Sequence, residues 1–284
     1  MIINEQVQKL IAMSLREDVG NGDHSSLSCI AKDEMGEMKL LVKEDGILCG
    51  VDVAREVIRQ VDEKIVMEQY MQDGDPIQKG DIVFKLTGPA CSMLTAERNI
   101  LNFMQRMSGI ATTTHQYVEM VKDTGVTLLD TRKTTPNMRI FEKYAVKVGG
   151  ATNHRFGLFD MMMLKDNHID FAGGIENAID AANQYQKDNG LNLKIEIETR
   201  NLDDVKRVMA HGGVHRIMFD NFTPEQIVEG VKIVNHRYET EASGGIVKET
   251  LRDYAVTGVD FVSIGAFTHH IASLDLSLKF SKNL

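Results

Sequence analysis

Residues 193–223, LKIEIETRNLDDVKRVMAHGGVHRIMFDNFT, contain the pattern that decides the fold. Two short apolar runs, 193–198 and 216–220, each end in an acidic residue. Between them, residues 202–210 carry apolar side chains at the spacing of an amphipathic helix. A strand, a helix and a second strand at these intervals are typical of a βαβ unit, whose two strands are parallel.

The same alternation recurs through the second part of the chain. Further strands are predicted at 126–130, 161–164, 238–243 and 260–265. Further helices are predicted at 174–187, 223–236 and 246–257. This pattern favours an α/β fold with a closed or nearly closed barrel, and a doubly wound open sheet is the competing architecture.

The first part of the chain has a different character. An amphipathic N-terminal helix is followed by alternating runs that predict antiparallel strands at 37–50, 64–71 and 81–88. Helical spacing returns at 51–61 and from Leu94, with Gly109 as the expected C-cap. We therefore predict an N-terminal α/β domain over 1–109 and a barrel domain over 110–270.

Composition excludes several classes of protein. The 284 residues carry a formal net charge of −9, which argues against general nucleic-acid binding. The apolar runs are too short to span a membrane, and the N-terminus is too polar for a signal peptide. The three cysteines form no C-x-x-C pair, so disulfide and zinc frameworks are not expected. A cytoplasmic location is the resulting prediction.

Polar side chains follow each predicted barrel strand. The carboxyl ends of barrel strands meet at one mouth, where barrel enzymes hold their active sites. Asp220-Asn221 before Thr223-Pro224 also has the pattern of a helix start. The residues expected to converge are Asp130, Arg132, Lys133, Lys165, Asp166, Glu196, Glu198, Asp220, Asn221, Ser243, Gly244, Gly245, Ser263 and Gly265.

Positive charge is concentrated in residues 131–165 of this acidic protein. The segment holds seven lysines or arginines against two acids. Arg132, Lys133 and Lys165 adjoin apolar strands, and they favour a small polyanionic substrate held by focused charge. Arg139, Lys143 and Lys147 instead stand four residues apart, and this spacing predicts a solvent-exposed stripe of positive charge on one face of a helix.

Residues 153–168, NHRFGLFDMMMLKDNH, place cations on both sides of an apolar run. The unbroken run 161–164 predicts a strand buried on both faces, with flexible methionines as gap-fillers. His154 and Arg155 precede this strand and Lys165 ends it, so the strand would present these cations to one dianion.

Glycines after the last two strands indicate a phosphate site. Ser243-Gly244-Gly245 is expected to follow one strand and open a helix, and Gly265 follows the next. Backbone N–H groups at helix N-termini bind phosphate, and glycine permits its close approach. At the same mouth, Glu198 and Asp220 could bind ribose hydroxyls, hold Mg²⁺ or stabilise positive charge at a sugar carbon.

These motifs resemble the quinolinate phosphoribosyltransferases, also called nicotinate-nucleotide pyrophosphorylases (carboxylating). The resemblance runs through residues 15–26, 94–114, 242–246 and 262–269 and through the long block DTRKTTPNMRIFEKYAVKVGGATNHRFGLFDMMMLKDNH at 130–168. It implies that quinolinate and phosphoribosyl pyrophosphate react, with Mg²⁺, to give nicotinate mononucleotide, pyrophosphate and carbon dioxide in NAD biosynthesis. It also implies an N-terminal mixed α/β sandwich domain, an incomplete α/β barrel, and a tail at 271–284 that returns to the first domain.

The resemblance assigns individual residues. The quinolinate-binding cations fall on Arg98, Arg132, Lys133, His154, Arg155 and Lys165. The acids that bind ribose and metal fall on Glu198 and Asp220, and the phosphate-binding residues on Ser243, Gly244, Gly245, Gly265 and His269. The expected catalytic residues are Lys133, Lys165, Glu198 and Asp220. Members of the family are homodimers or larger, and Arg98 is the expected contribution of the neighbouring subunit to a shared site.

Other interpretations remain open. Molybdenum-operon relatives share the barrel pattern but lack the full KDNH block at 165–168, and nicotinate phosphoribosyltransferases match less well. A lysine that ends a barrel strand is also typical of Schiff-base aldolases. GDPIQKGDIV at 74–83 resembles the hairpin of biotinyl and lipoyl carrier domains, without their modifiable lysine between methionines. An inactive sensor would bind phosphoribosyl pyrophosphate without turnover.

Overall fold

The structure is a computed structural model of the 284-residue chain, and it describes every residue except for the side chain of Asn283. The strands are β1 (Met35–Val42), β2 (Gly46–Ile47), β3 (Val66–Gln69), β4 (Pro76–Ile77), β5 (Ile82–Pro89), β6 (Thr127–Leu129), β7 (Met162–Leu164), β8 (Ile195–Thr199), β9 (Arg216–Asp220), β10 (Glu239–Ser243), β11 (Phe261–Ser263) and β12 (Leu276–Asn283). The helices are α1 (Glu5–Val19), α2 (His24–Cys29), α3 (Val51–Val61), α4 (Ala90–Val121), α5 (Arg139–Val148), α6 (Asp166–Ala172), α7 (Ile175–Asn189), α8 (Leu202–His211), α9 (Pro224–Val234), α10 (Leu251–Ala255) and α11 (Ala266–His269).

The chain folds into two compact units. The first comprises Met1–His115, Thr135–Gly150 and His270–Leu284. The second comprises Gln116–Thr134 and Ala151–His269.

An antiparallel sheet in the order β12–β1–β5–β3 forms the base of the first unit. Every second residue of β1 is buried from Gly36 to Val42, which is the period of a strand with one face on the core. The C-terminal strand β12 pairs with β1, and Leu278 lies opposite Leu40. Helix α3 buries Val53 and, one turn further along, Glu56 and Val57. The predicted N-terminal mixed α/β fold is confirmed.

Helix α5 belongs to the first unit, although the sequence division puts residues 135–150 in the barrel domain. The Phe103 and Phe141 ring centroids are 4.9 Å apart, and Arg106 lies 2.6 Å from the fully buried carboxylate of Glu142. Most of this short helix therefore packs inside the unit. The predicted exposed stripe is wrong at Lys143, which is 2% exposed.

Helix α4 continues through Gly109 instead of ending there, so the predicted C-cap is wrong. A Cβ on Gly109 would lie 2.1 Å from the carbonyl oxygen of Ala272. Glycine inside a helix costs about 1 kcal/mol relative to alanine, and here it admits the C-terminal segment against α4. Every helix that the structure describes falls short of the length or the apolar content needed to span a bilayer.

The second unit is an incomplete α/β barrel. Its parallel strands follow the order β6–β11–β10–β9–β8–β7, so the first strand of the set pairs with the last. That pairing, with Val262 opposite Leu128, curls the sheet towards closure and excludes the doubly wound alternative. A bridge between Leu129 and Thr152 fills part of the gap beside β6. The predicted incomplete barrel is confirmed.

Strand β7 is not buried on both faces, contrary to the prediction. It forms one edge of the sheet, where it pairs with β8. Met162, Met163 and Leu164 are each half-buried, and Met161 just before them is buried. A strand at the open edge of a barrel lacks the neighbour that would cover its other side, which explains this exposure.

The loop after β10 also differs from the prediction. The sequence predicts a helix from residue 246, directly after the glycines, but α10 begins at Leu251 and has five residues. A turn intervenes, in which the Val247 amide donates to the Thr250 hydroxyl at 3.2 Å. A phosphate at this loop would therefore be bound by loop amides and not by a helix N-terminus.

Candidate active site

A cavity of about 440 Å³ opens at the carboxyl ends of the barrel strands. Cations, acids and glycines of the second unit line it together: Thr131, Arg132, Lys133, His154, Arg155, Met163, Lys165, Asp166, Glu198, Met218, Asp220, Asn221, Glu241, Ser243, Gly244, Gly245 and Ser263. Most of the residues predicted from strand ends thus surround the same cavity.

One side of this cavity is cationic. Arg132 and Lys133 follow β6, while Arg155 and Lys165 flank β7. The guanidinium of Arg155 donates to the carbonyl oxygen of Met161 at 3.2 Å, which aligns it with the approach to β7. Several positive charges on one side of a cavity suit an anion with more than one carboxylate.

Buried hydrogen bonds brace the backbone that presents these cations. The fully buried Asp130 accepts from the His154 amide at 2.8 Å and from the Asn153 side chain at 2.7 Å. The Thr268 hydroxyl donates to the carbonyl oxygen of Lys133 at 2.8 Å. The cationic loops are therefore held in place before a ligand arrives.

Lys165 and Glu198 form an ion pair at the mouth. Lys165 is the N-cap of α6, and the second carboxylate oxygen of Glu198 accepts from the Asp166 amide at 3.2 Å. A negative charge is favourable at the start of a helix. A substrate anion at Lys165 or a cation at Glu198 would have to replace this pairing.

The acids Glu198 and Asp220 offer oxygen ligands of the kind that Mg²⁺ prefers. Burial and the nearby Glu198 raise the pKa of Asp220 above its ordinary value, while Lys165 and Asn221 oppose them. Two acids that repel each other in this way fit a bound cation. Asp220 fits it better, because both oxygens of Glu198 already accept hydrogen bonds.

The last predicted phosphate residues lie beside Lys133. A Cβ on Gly265 would lie 2.6 Å from Nε2 of His269 and 3.3 Å from Cδ of Lys133. Because Gly265 has no side chain, His269 and Lys133 can both pack against it. Arg98 belongs to α4 of the first unit, where it is exposed.

A buried ionic cluster lies next to the cavity, inside the barrel. His154 Nε2 is 3.0 Å from Glu196 and 3.3 Å from Glu241, and Arg216 lies 2.8 Å from Glu241. The ligand atoms of His154, Glu196 and Glu241 all lie within 4.8 Å of one another, a spacing that a metal site also requires. Arg216 already supplies positive charge there, so ion pairs account for the cluster.

The cluster favours a protonated His154. Burial lowers the pKa of His154, but Glu196 and Glu241 outweigh burial and raise it to about 9. The Arg155 amide, 2.7 Å from Nδ1, would instead favour a neutral ring with its proton on Nε2. Burial and the neighbouring Glu241 raise the pKa of Glu196 above its ordinary value, while His154 and Arg216 oppose this rise. We assign the proton to His154, because an imidazolium leaves each buried acid paired with a cation and the amide contact joins only adjacent residues.

Glu241 is a lining residue that the sequence interpretation missed. Burial raises the pKa of Glu241, but His154 and Arg216 outweigh burial and leave it below its ordinary value. The alternation of side chains along a strand could have predicted its place in the cavity. Glu241 and Ser243 stand two apart on β10, so their side chains share the inward face.

Comparison with known sequences identifies the family. The quinolinate phosphoribosyl transferase C-terminal domain matches residues 110–279, and the N-terminal domain of the same family matches residues 23–108. The chain belongs to the quinolinate phosphoribosyltransferase family. It is accordingly a decarboxylating phosphoribosyltransferase of NAD biosynthesis. The carrier-like stretch 74–83 lies within the N-terminal domain match, and its strand β4 pairs with β2 and not with β5 as a hairpin would require.

Individual relatives cover nearly the whole chain. The mitochondrial quinolinate phosphoribosyltransferase (decarboxylating) 2b of Nicotiana tabacum is 39% identical over 293 residues, covering 98% of this chain and 83% of the relative. The probable nicotinate-nucleotide pyrophosphorylase (carboxylating) of Bacillus subtilis is 40% identical over 273 residues, covering 96% and 93%. The crystal structure of NadC from Streptococcus pyogenes matches with a TM-score of 0.94 at 38% identity, covering 99% of both chains.

Proposed function

We propose that the cavity at the barrel mouth is where quinolinate and phosphoribosyl pyrophosphate combine to give nicotinate mononucleotide, pyrophosphate and carbon dioxide. One observation carries this proposal. Four lysines and arginines, four acids that include Glu198 and Asp220, and a glycine loop, contributed by β6 to β10 and their flanking loops, surround one cavity of about 440 Å³. The cations suit a dianion, Glu198 and Asp220 suit a ribose, and the glycine loop suits a phosphate.

The cationic side would hold quinolinate. Its two adjacent carboxylates suit the planar donor forks of Arg132 and Arg155, with Lys133 and Lys165 as point charges. Each charge-assisted hydrogen bond contributes about 1.5–3 kcal/mol. His154 also lines this cavity, where it is buried and paired with Glu196 and Glu241.

The opposite side would hold the phosphoribosyl group. Gly244 and Gly245 have φ values of 97° and 63°, so their amides can turn towards the cavity without a side chain in the way. Gly265 and His269 lie beside Lys133 and extend this region towards the cationic side. The ribose would then lie over Glu198 and Asp220.

Positioning and charge would drive the substitution at the sugar carbon. Positive charge develops on that carbon as pyrophosphate leaves, and the carboxylates of Glu198 and Asp220 would stabilise it electrostatically. Asp220, with Glu198 as its neighbour, would hold Mg²⁺, which when bound neutralises pyrophosphate oxygens. Lys133 and Lys165 would also stabilise the negative charge of the leaving pyrophosphate. A side-chain nucleophile is not required.

Decarboxylation would follow in the same pocket. Cations that bind the pyridine carboxylates would keep the ring fixed while the bond to the 2-carboxylate breaks and carbon dioxide leaves. The electron pair of that bond stays on the ring carbon, which then takes a proton from solvent. Half-buried Met163 and buried Met218 line this cavity and reduce its exposure to water.

A second subunit would complete the site. We infer a homodimer or larger assembly in which Arg98 reaches the cavity of the neighbouring chain, because Arg98 is an exposed cation on a different unit from the cavity residues. The cytoplasmic location stays a prediction.

The deciding experiment mixes the purified protein with quinolinate, phosphoribosyl pyrophosphate and Mg²⁺. Nicotinate mononucleotide and labelled carbon dioxide should form together in equal amounts. Nicotinate, which carries one carboxylate, should react far more slowly than quinolinate. Equal turnover of nicotinate and quinolinate would contradict the substrate assignment.

A further inference from the structure

Asn221 has an unusual backbone conformation directly after β9. It follows β9 with φ at 58°, in the left-handed region that few residues other than glycine adopt. The sequence suggests that Asp220-Asn221 opens α9. In the structure Thr223 is the N-cap instead, and it forms a capping box with Gln226. The unusual backbone of Asn221 therefore has another cause.

The side chain of Asn221 contacts two parts of the cavity at once. Its Nδ2 donates to Oδ2 of Asp220 at 2.9 Å. Its amide Oδ1 lies so close to Gly244 that a Cβ built there would be 2.2 Å away. Gly244 is thus required by the fit of Asn221 as well as by its own φ of 97°.

The backbone of Asn221 reinforces the same link. Its N–H donates to the carbonyl oxygen of Ser243 at 2.8 Å, one residue beyond the paired ends of β9 and β10. Asn221 therefore fastens the acid that ends one strand to the glycine loop that follows the next. Three contacts fix the distance between Asp220 and Gly244.

We propose that Asn221 is a positioning residue for phosphoribosyl pyrophosphate, which sets the Asp220 carboxylate at a fixed distance from the Ser243-Gly244-Gly245 loop. This inference rests on the proposed function, in which the loop holds phosphate and Asp220 lies beneath the ribose. One rigid spacing would then match the span from phosphate to ribose hydroxyl. Quinolinate, held at the cationic side, would not depend on it.

Asn221→Gly is the informative variant. Glycine keeps the left-handed backbone and leaves Gly244 undisturbed, but it removes the hydrogen bond to Asp220. KM for phosphoribosyl pyrophosphate should rise about tenfold, as expected for one hydrogen bond to a charged group. KM for quinolinate should stay within about twofold of the wild type, since its contacts lie elsewhere. Calorimetry should show the same loss in affinity for phosphoribosyl pyrophosphate with Mg²⁺, independently of turnover.

Two further variants separate positioning from stability. Asn221→Asp keeps the size of the side chain but turns a negative oxygen towards Asp220, so it should raise this KM further than the glycine variant does. Asn235→Gly is the matched control, because Asn235 is also left-handed but caps the end of α9. It should leave both KM values unchanged.

The outcomes are distinguishable. An unchanged affinity for phosphoribosyl pyrophosphate in Asn221→Gly would overturn this inference and leave the reaction itself in place. Parallel rises in both KM values with a fall in Tm would show that Asn221 only stabilises the fold, and would overturn it too. Wild-type protein that binds phosphoribosyl pyrophosphate but forms no product would instead overturn the proposed function.

Discussion

His154 Nε2 lies 3.0 Å from a carboxylate oxygen of Glu196, and at most 4% of either side chain is exposed. Glu241 faces the same nitrogen at 3.3 Å, and Arg216 lies behind Glu241. A charged imidazole inside a barrel is stable only with such partners. The charge state of His154, which lines the cavity, therefore depends on Glu196 and Glu241.

The first prediction concerns pH. Because the pKa of His154 is raised from 6.5 to about 9 in the folded state, its proton stabilises the fold fully below the unfolded value. That stabilisation should be lost as pH rises through about 9, and urea unfolding at successive pH values should show it. An NMR titration of the His154 ring should have its midpoint in the same range.

Glu241→Gln tests the cause of this shift. Removing one of the two carboxylates should lower the midpoint of the His154 titration by about one pH unit or more. Asp180→Asn is the control, since it removes a carboxylate from the exposed pair with His211. A midpoint for His154 near the ordinary histidine value in the wild type would refute the assignment of the imidazolium.

The second prediction concerns the cations. Lys133→Ala or Arg155→Ala should lower kcat/KM for quinolinate by about 10- to 100-fold, the loss expected for a hydrogen bond to a charged group. Tm should change little, because Lys133 is exposed and Arg155 is half-buried. Lys147→Ala, an exposed cation on α5, should keep full activity. Turnover like the wild type in both cavity variants would show that the cations have been misassigned.

The sequence predicts the barrel well because each of its strands can be recognised from a local pattern of residues. Each apolar run that ends in polar residues became a parallel strand, and the polar ends of β6 to β11 met at one mouth. Local patterns cannot say where a barrel stops closing. The run 161–164 looks buried in sequence, yet it lies at the open edge, since pairing partners are a property of the whole sheet.

Long-range contacts explain the other differences. Gly109 has the local pattern of a C-cap, but the approach of Ala272 from far along the chain is what requires it. Lys143 has the spacing of an exposed stripe, but α5 is covered on nearly every side. Strand ends predicted most of the site residues and the family resemblance assigned their roles, whereas the linkage of Asn221 to Gly244 is visible only in three dimensions.

The third prediction concerns Mg²⁺. Asp220→Asn should raise the Mg²⁺ concentration for half-maximal activity by at least about tenfold, because a hard cation loses a charged oxygen ligand. Thermal stabilisation of the protein by Mg²⁺ with phosphoribosyl pyrophosphate should weaken in parallel. Asp166→Asn removes an exposed acid of the same cavity, and it should not change the Mg²⁺ requirement. An unaltered Mg²⁺ dependence in Asp220→Asn would place the ion elsewhere.

The fourth prediction concerns the shared site. In the proposed shared site, Arg98→Ala loses the cation given to the neighbour and Lys165→Ala loses a cation of its own cavity, so each should lose about 10- to 100-fold in activity alone. After the two variants are unfolded and refolded together in equal amounts, half of the dimers should be hybrids, each with one intact site. About a quarter of the wild-type activity should therefore return. Refolding each variant by itself is the control. If Arg98 serves the cavity of its own chain, every site in the mixture lacks one cation, and no activity will be regained.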